Sequence, residues 1–550
     1  MIRTKLIFTL ILLCLSSSAM AEWDIMKTPH FTCFYPDGYE WEAEQTLSNL
    51  EHYQQDVVDL TGNKRIGNLP VVIEDAGMFT NGFADPIFKS MHIFTHAPDS
   101  LTPLGITQNW YRQVAVHEYT HIAHLTRTEG IPMLITAING SIYQPNLYSP
   151  GWLTEGITVL SESNLSPYEG RLNDGGFDAI IKANVREGKP PSILKSTYSP
   201  LEFPGESGQY VYGSEFFKYL SDKYGKEKFS QFFEATSGAG IGYSIFSLIG
   251  SCIFPYFGID RAARKTYGKS FPKLFSEWKD SIDASTWKID GEQVTEHGWT
   301  VRHPVLSDNK LYYIRSYPKK TGALETFEFN EIVERDLTTD DERVVVSATS
   351  EFIGNISKVG DILYYAIAEV KKGYDNSTMN GFGVYSVLHQ KNLSSTNKNV
   401  DKKLFSDQIR GFSLTPDGMV IYARDREHAF GSELWTWSAE EGKKKLLSLD
   451  LLVSEILCLE DRKIAVAARP DWENWNVYLI DMAAVSASLN EQSLAAGEFK
   501  PIMPTPAGEF TISCYGKKLF FSSNYEKTYS IYAYDIDDGK TYRLTDSGFA

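Results

Sequence analysis

His117, Glu118 and His121 stand in the order His-Glu-x-x-His within Val116-His117-Glu118-Tyr119-Thr120-His121-Ile122-Ala123-His124. Residues four apart on an α-helix lie one above the other on one face, so the two imidazoles can address one metal ion. Glu118 then lies beside the open coordination position. A carboxylate there can take a proton from metal-bound water, whose pKa zinc lowers to roughly 7. The spacing therefore implies zinc-dependent hydrolysis, with Zn2+ as the cofactor.

The five-residue pattern is only moderately specific in a chain of 550 residues, so its surroundings decide. From Ile106 onward apolar residues recur at helical spacing through Trp110, Val114 and Leu125, and no Pro or Gly falls between 106 and 129. The competing reading is a buried helix with structural histidines. Two histidines leave a catalytic zinc one protein ligand short. His124 shares their face but lies seven residues, about 10 Å along the axis, from His117, too far for all three to hold one ion. It reads as a core histidine or one bordering the ligands. A third-histidine extension of the motif would need Gly at 124 and His at 127. The chain has His124 and Arg127.

Gly151-Trp152-Leu153-Thr154-Glu155-Gly156, taken with the first segment, resembles the gluzincin metallopeptidases, where a second helix bearing Trp-Leu-x-Glu-Gly supplies a glutamate as third zinc ligand. The resemblance implies zinc on His117, His121 and Glu155. Glu162, seven residues on, falls on the same helical face, where it either hydrogen-bonds a ligand imidazole or faces solvent. Tyr210-Val211-Tyr212-Gly213-Ser214-Glu215 resembles the aminopeptidase N pattern, in which a Tyr three residues before a Gly stabilises the tetrahedral intermediate. That implies Tyr210, with Tyr212 as the alternative. A phenol suits the role because it donates a hydrogen bond to an oxyanion without carrying charge. At the place of that group's Gly-x-Met-Glu-Asn strand, which binds substrate backbone and the free amino terminus, this chain has Gly77-Met78-Phe79-Thr80-Asn81-Gly82-Phe83. No Glu follows Met78, which leaves endopeptidase against exopeptidase action open.

The elements that must hold these residues are legible from pattern. A strand from Pro29 to Tyr35, a helix from Tyr39 to Leu60, and strands at Leu69 to Glu74 and Met91 to Thr95 precede the motif helix. Residues 130 to 150 read as a Pro- and Tyr-containing connection. Helical patterns follow at Asp178 to Val185, Glu215 to Tyr224, Lys226 to Thr236, Ile259 to Tyr267 and Phe271 to Ala284. The apolar run Tyr243 to Ile259 is broken by Gly250 and Pro255 and reads as buried, not membrane-spanning. At the start, Arg3 and Lys5, the apolar run Leu6 to Leu15 and Ala19-Met20-Ala21 read as a secretory signal cleaved after Ala21. Its loss takes the net charge from −17 to −19, a balance that argues against a nucleic-acid partner. Cys33, Cys252, Cys458 and Cys514 then remain, and any disulfides should pair within each half.

After Trp287 the texture changes to short strands. Leu311-Tyr312-Tyr313, Leu363-Tyr364-Tyr365, Val420-Ile421-Tyr422, Ile464-Ala465-Val466 and Leu519-Phe520-Phe521 recur with starts 52, 57, 44 and 55 residues apart. A period near 50 with about four strands per unit marks propeller blades. The units resemble TolB-like repeats, with a Pro-Asp-Gly turn before a strand and a later strand ending near Leu-Thr, clearest at 413 to 423 and 531 to 545. A sixth unit could lie within 370 to 405, and a β-sandwich is the competing architecture.

The expected fold is thus multidomain, α+β and all-β: a signal peptide over 1–21, a gluzincin-type zinc metallopeptidase domain over 22–285 and a β-propeller of about five blades over 286–550. The implied protein is an exported, periplasmic or secreted metallopeptidase acting on a peptide or protein substrate, with no transmembrane segment after cleavage. Alternatives are a propeller-based binding or scaffolding protein with a vestigial metal site, and hydrolysis of a non-peptide amide or ester. Oligomeric state is open.

Overall fold

The computed structural model describes residues 23–102, 104–141, 144–197, 201–238, 257–285, 291–296, 299–322, 326–372, 381–394, 401–460, 462–482 and 495–546. The expected signal peptide with Cys14, Cys252, and all but the last three residues of the run Tyr243 to Ile259 lie outside them.

The N-terminal half is α+β. Strands β1 (Trp23–Lys27), β2 (Phe31–Pro36), β3 (Leu69–Glu74), β4 (Gly82–Asp85) and β5 (Ser90–Phe94) form one mixed sheet in the order β1-β2-β3-β5-β4. The three central strands are parallel and the two edges antiparallel. Helix α1 (Glu40–Thr61) packs on β2 and against α2 (Trp110–Leu125), which itself covers β4 and β5. Phe31, Leu47, Val71, Ile93, Val114 and Tyr119 share this core. Asn109 starts α2, its side chain accepting from the Arg112 N–H, one of the four N–H groups a helix start leaves without a partner. All sixteen residues of α2 are buried, so a polar group on it that lacks a partner is costly.

A helical layer follows: α3 (Gly130–Asn139), α4 (Gly151–Ser163), α5 (Gly176–Arg186), α6 (Gly208–Tyr224), α7 (Glu227–Thr236), α8 (Phe257–Tyr267) and α9 (Phe271–Asp280). Helix α3 corrects the expected connection over 130 to 150. Pro132 sits in its first turn, where the missing N–H would be unpaired in any case, so it does not break the helix. Helices α4 and α6 cross so closely that a Cβ added at Gly156 would lie 2.6 Å from the Gly213 carbonyl carbon. One added at Gly213 would lie 2.1 Å from the Trp152 oxygen. The two glycines are the contact, and Trp152, Phe216, Phe217 and Phe271 fill the core around it. Among the described residues no helix is long and apolar enough to cross a membrane.

The C-terminal half is a five-bladed β-propeller. Its sheets, each antiparallel and in chain order, are β6 (Thr300–Ser307), β7 (Lys310–Lys320), β8 (Thr326–Asp336) and β9 (Glu342–Ala348); β10 (Phe352–Val359), β11 (Ile362–Lys372), β12 (Phe382–Asn392) and β13 (Asp401–Asp407); β14 (Gly411–Leu414), β15 (Val420–Asp425), β16 (Ser432–Ser438) and β17 (Gly442–Leu449); β18 (Leu452–Cys458), β19 (Lys463–Arg469) and β20 (Asn476–Asp481); and β21 (Glu509–Tyr515), β22 (Lys518–Ser523), β23 (Ser530–Asp535) and β24 (Thr541–Arg543). The first strands of successive sheets touch, β6 on β10, β10 on β14, β14 on β18 and β18 on β21, which is radial packing of blades and not two facing sheets. Each of the five recurring triplets falls on the second strand of its blade. The stretch 370 to 405 holds no sixth unit among its described residues, because β12 and β13 complete the second blade. Among the described residues Cys33, Cys458 and Cys514 are free thiols, so no disulfide joins the two cysteines of the C-terminal half.

The halves are joined by buried polar contacts. Arg410 donates to Asp99 and to the Ala97 carbonyl while also pairing with Asp425, which in turn meets His96 Nδ1 at 2.7 Å. Trp475 Nε1 donates to the Gly105 carbonyl, and Gly77 forms a bridge with Val384 of the second blade.

Candidate metal centre

Helix α2 presents His117 and His121 one turn apart, and α4 brings Glu155 opposite them. One ligand atom from each of the three residues lies within 4.8 Å of the other two. Glu155 Oε2 is 3.4 Å from His121 Nε2 and 3.6 Å from His117 Nε2. Both separations exceed a normal hydrogen bond. The shorter matches, and the longer exceeds by about 0.2 Å, the spacing of about 3.3–3.4 Å between ligand atoms arranged tetrahedrally at bonds of about 2.0–2.1 Å. Glu155 Oε2 is sealed from solvent and has no hydrogen-bond partner. Two imidazoles and a carboxylate oxygen converging on one point fit a divalent cation with zinc's preferences. Burial works against ionisation of Glu155, but His121 and His117 outweigh it and hold the carboxyl well below the usual range.

Glu162 is buried on the same face of α4, its Oε2 2.8 Å from His117 Nδ1. If His117 uses Nε2 as a ligand, Nδ1 carries the proton and donates it to Glu162, which fixes the tautomer and the ring. Arg171 Nε and Nη2 donate to the same carboxylate at 2.8 and 2.9 Å. Burial raises the Glu162 carboxyl and the Arg171 charge lowers it further than that, to about 2. The Arg171 guanidinium also lies 4.9 Å from the centre of the Tyr210 ring. Sequence reasoning missed Arg171 altogether: it sits in the turn-rich stretch after α4, where no period marks it. His121 Nδ1, by contrast, has no partner among the described residues.

Glu118 points to the same cavity, and burial raises its carboxyl, partly offset by His117 and His121. Edge strand β4 runs against it: a Cβ at Gly82 would lie 3.1 Å from Glu118 Oε1 and 2.4 Å from Val114 Cγ2. Tyr210 lines the cavity, half-buried, whereas Tyr212 turns into the core, where its hydroxyl accepts from Asn184 Nδ2 at 2.5 Å. His124 is a core residue. Its ring packs 4.3 Å from Phe233, neither nitrogen has a partner, and burial lowers its pKa to about 3.

The cavity holds about 1310 Å³ and is walled by both halves of the chain. Met78 to Ala84 line it on the N-terminal side; Arg302, His303, Phe352, Ser454 and Glu455 line it from the propeller.

No protein-family model matches the chain, and no curated protein matches it. Among solved structures it is similar to TolB from Acinetobacter baumannii, at 17% identity over 46% of this chain and 55% of that one, with a TM-score of 0.30. The tricorn protease matches at 15% identity over 45% of this chain and 22% of that one, TM-score 0.29. The acylaminoacyl peptidase of Pyrococcus horikoshii matches at 13% identity over 45% and 46%, TM-score 0.30. The chain thus spans about half the length of TolB and of the acylaminoacyl peptidase, and less of tricorn protease. The chain is a five-bladed propeller joined to an α+β half that carries a His-His-Glu cluster.

Proposed function

We propose that this chain is an exported zinc-dependent metallopeptidase of gluzincin type. The observation that carries the reading is the convergence of His117, His121 and Glu155 on one point at the wall of a large cavity, with Glu118 and Tyr210 facing that cavity. His117, His121 and Glu155 would hold the ion. Zinc bound there would supply a Lewis acid and a water of lowered pKa. Glu118 accepts the proton of the attacking water and returns it to the leaving amine; its burial raises its affinity for that proton. The Tyr210 hydroxyl donates to the developing oxyanion. Glu162 keeps Nε2 of His117 unprotonated by taking the hydrogen bond from Nδ1, and Arg171 balances the charge of Glu162. β4 presents edge-strand backbone beside Glu118, the arrangement by which an extended peptide can add to a sheet.

The test is purified protein on an unstructured protein substrate, with metal analysis and a chelator. The expected result is one zinc per chain, cleavage lost on chelation and restored by zinc, and zinc lost in His121→Ala or Glu155→Ala but kept in His124→Ala. Zinc without cleavage would favour the amide or ester reading. A chain that retains no zinc would favour the propeller-centred binding role.

A further inference from the structure

Helix α3 turns an apolar face to solvent. Ile131, Leu134 and Ile138 recur at i, i+3 and i+7, so they share one side of the helix, and all three are exposed, Ile138 at 82%. A second apolar projection is the turn between β4 and β5, which holds Ile87 and Phe88 outward, Phe88 again at 82%. The turn is braced. Asp85 Oδ1 accepts from the Ile87 N–H at 2.8 Å and from the Phe88 N–H at 2.9 Å. The two projections are tied to each other, because Gln144, six residues after Ile138, donates to the carbonyl of Pro86, the residue before Ile87, at 3.0 Å. Tyr148, four residues further on, is exposed as well. None of these six apolar side chains lines the metal-site cavity.

The region also lacks charge. Residues 130 to 154 contain no Asp, Glu, Lys, Arg or His, in a chain of which 22% is Asp, Glu, Lys and Arg. Residues 235 to 259 contain none either. The two stretches meet where the Glu129 N–H donates to the Ser237 carbonyl at 2.9 Å, and where a Cβ added at Gly238 would lie 2.6 Å from Pro132 Cγ. Charge borders the face at Arg65, which reaches Met133 Sδ and lies 3.6 Å from Glu129, and at Lys89, next to Phe88. Contiguous exposed apolar side chains of this kind mark association surfaces. A protein partner is ordinarily met with about one hydrogen bond per 100–200 Å² and a polar rim, and two protruding tips would each need a matching pocket. A bilayer needs neither. Its acyl chains close around any shape, and burial of apolar area supplies the free energy. At a net charge of −17 the chain has no overall attraction to anionic lipid, so apolar burial has to carry the contact.

We propose that this face docks the protein on the surface of a lipid bilayer, with Phe88 and Ile138 as the side chains that enter the apolar layer. The inference goes beyond the proposed metal chemistry and does not depend on it.

Co-sedimentation of the full chain with phosphatidylcholine vesicles tests it. Binding is expected, and to the same extent at about 0.1 M and about 1 M salt, because shortening the Debye length from about 10 to about 3 Å does not weaken apolar burial. Phe88→Ser and Ile138→Ser should each reduce partition about tenfold or more, the loss from failing to bury one large apolar side chain. Both should unfold at the wild-type temperature, since the side chains they replace stand in solvent. Tyr515→Ser, at a residue 76% exposed on the propeller, should bind as wild type does. Sedimentation velocity without vesicles tests the competing occupant: a dimer that Ile138→Ser dissociates would give the face to a second copy of the chain. That result, absence of vesicle binding, binding abolished at high salt, an equal loss in Tyr515→Ser, or undiminished binding by a folded double variant of Phe88→Ser and Ile138→Ser would each overturn the assignment.

Discussion

Replacing Gly156 by Ala separates two opposed effects whose sizes can be set against each other. In a helix interior the change alone should stabilise by about 0.5–1 kcal/mol, because Ala restricts the unfolded chain and Gly does not. At this position, however, the new Cβ would lie 2.6 and 2.7 Å from the Gly213 carbonyl carbon and oxygen and 2.8 Å from Phe217 Cδ2. Carbon contacts settle at about 3.5–4.0 Å, so α4 and α6 must part by roughly 1 Å there. Two of the three obstacles are backbone, which cannot rotate aside. Overpacking of this kind costs about 1–3 kcal/mol, which exceeds the propensity gain, so the variant should be less stable by about 1–2 kcal/mol. The functional effect should be larger than the thermodynamic one. Glu155 is the adjacent residue, its Oε2 3.4 and 3.6 Å from the two imidazoles, while Tyr210 lies one turn before Gly213. A misplacement of about 1 Å can lower a rate by about 10²-fold. Thermal unfolding, zinc content and peptide hydrolysis would be measured beside Gly497→Ala, where nothing lies within 4 Å of the added Cβ. If Gly156→Ala matched wild type in all three, the close helix crossing would not be what positions the cluster.

Glu118→Gln should keep about one zinc per chain and lose about 10²–10⁴-fold in hydrolysis, the range for deleting a general base; unchanged hydrolysis would remove the metallopeptidase reading. Tyr210→Phe should keep zinc and lose about 10²-fold or more in kcat, as for removal of one oxyanion donor. Tyr212→Phe, which removes only the acceptor for Asn184, should stay active, and the reverse outcome would move the role by two residues. A pH series addresses Glu509, a buried residue whose Oε1 accepts from Thr505 and Ser523 while Oε2 has no partner. Burial raises its carboxyl to about 8, so folding takes up a proton there, and stability from this group is present at low pH and lost as pH rises from about 4.5 toward 8. Glu509→Gln should therefore leave the unfolding temperature unchanged near pH 4 and raise it increasingly up to pH 8; a constant difference across the series would contradict the burial argument.

What could be read from the sequence was what repeats or sits within one element. His117 and His121 are four apart on a helix that has no breaker, and the propeller announced itself because each second strand repeats a largely buried triplet of aromatic and aliphatic residues. What could not be read depended on contact between distant segments. The apolar period of α2 suggested one buried face, yet the helix is buried all round, because the sheet, α1 and α4 enclose it. The glycines of the Trp-Leu-x-Glu-Gly and Tyr-x-x-Gly segments were visible as letters, but their reason is mutual: each makes room for the other's helix. Arg171 had no signal at all, since a lone arginine in a turn looks the same whether it meets solvent or a buried glutamate.

The propeller is more than an attachment to the N-terminal half. His96 and Asp99 belong to the N-terminal half, while Arg410 and Asp425 belong to the third blade, and the four form one cluster, with His96 and Arg410 buried and the aspartates half-buried, in which each charge faces an opposite or polar partner from the other half. Arg410 is fully buried, and its cationic form is favoured only because the two aspartates outweigh the loss of water around it. The Asp425 carboxyl is held well below its usual range: burial opposes ionisation, and Arg410 and His96 overcome it. Replacing either aspartate by an apolar residue in the intact chain would leave Arg410 buried with part of its charge unanswered, which costs more than the pair contributes. Three of the four, His96, Asp99 and Arg410, line the cavity at the metal site, so the contact that joins the halves also shapes that cavity.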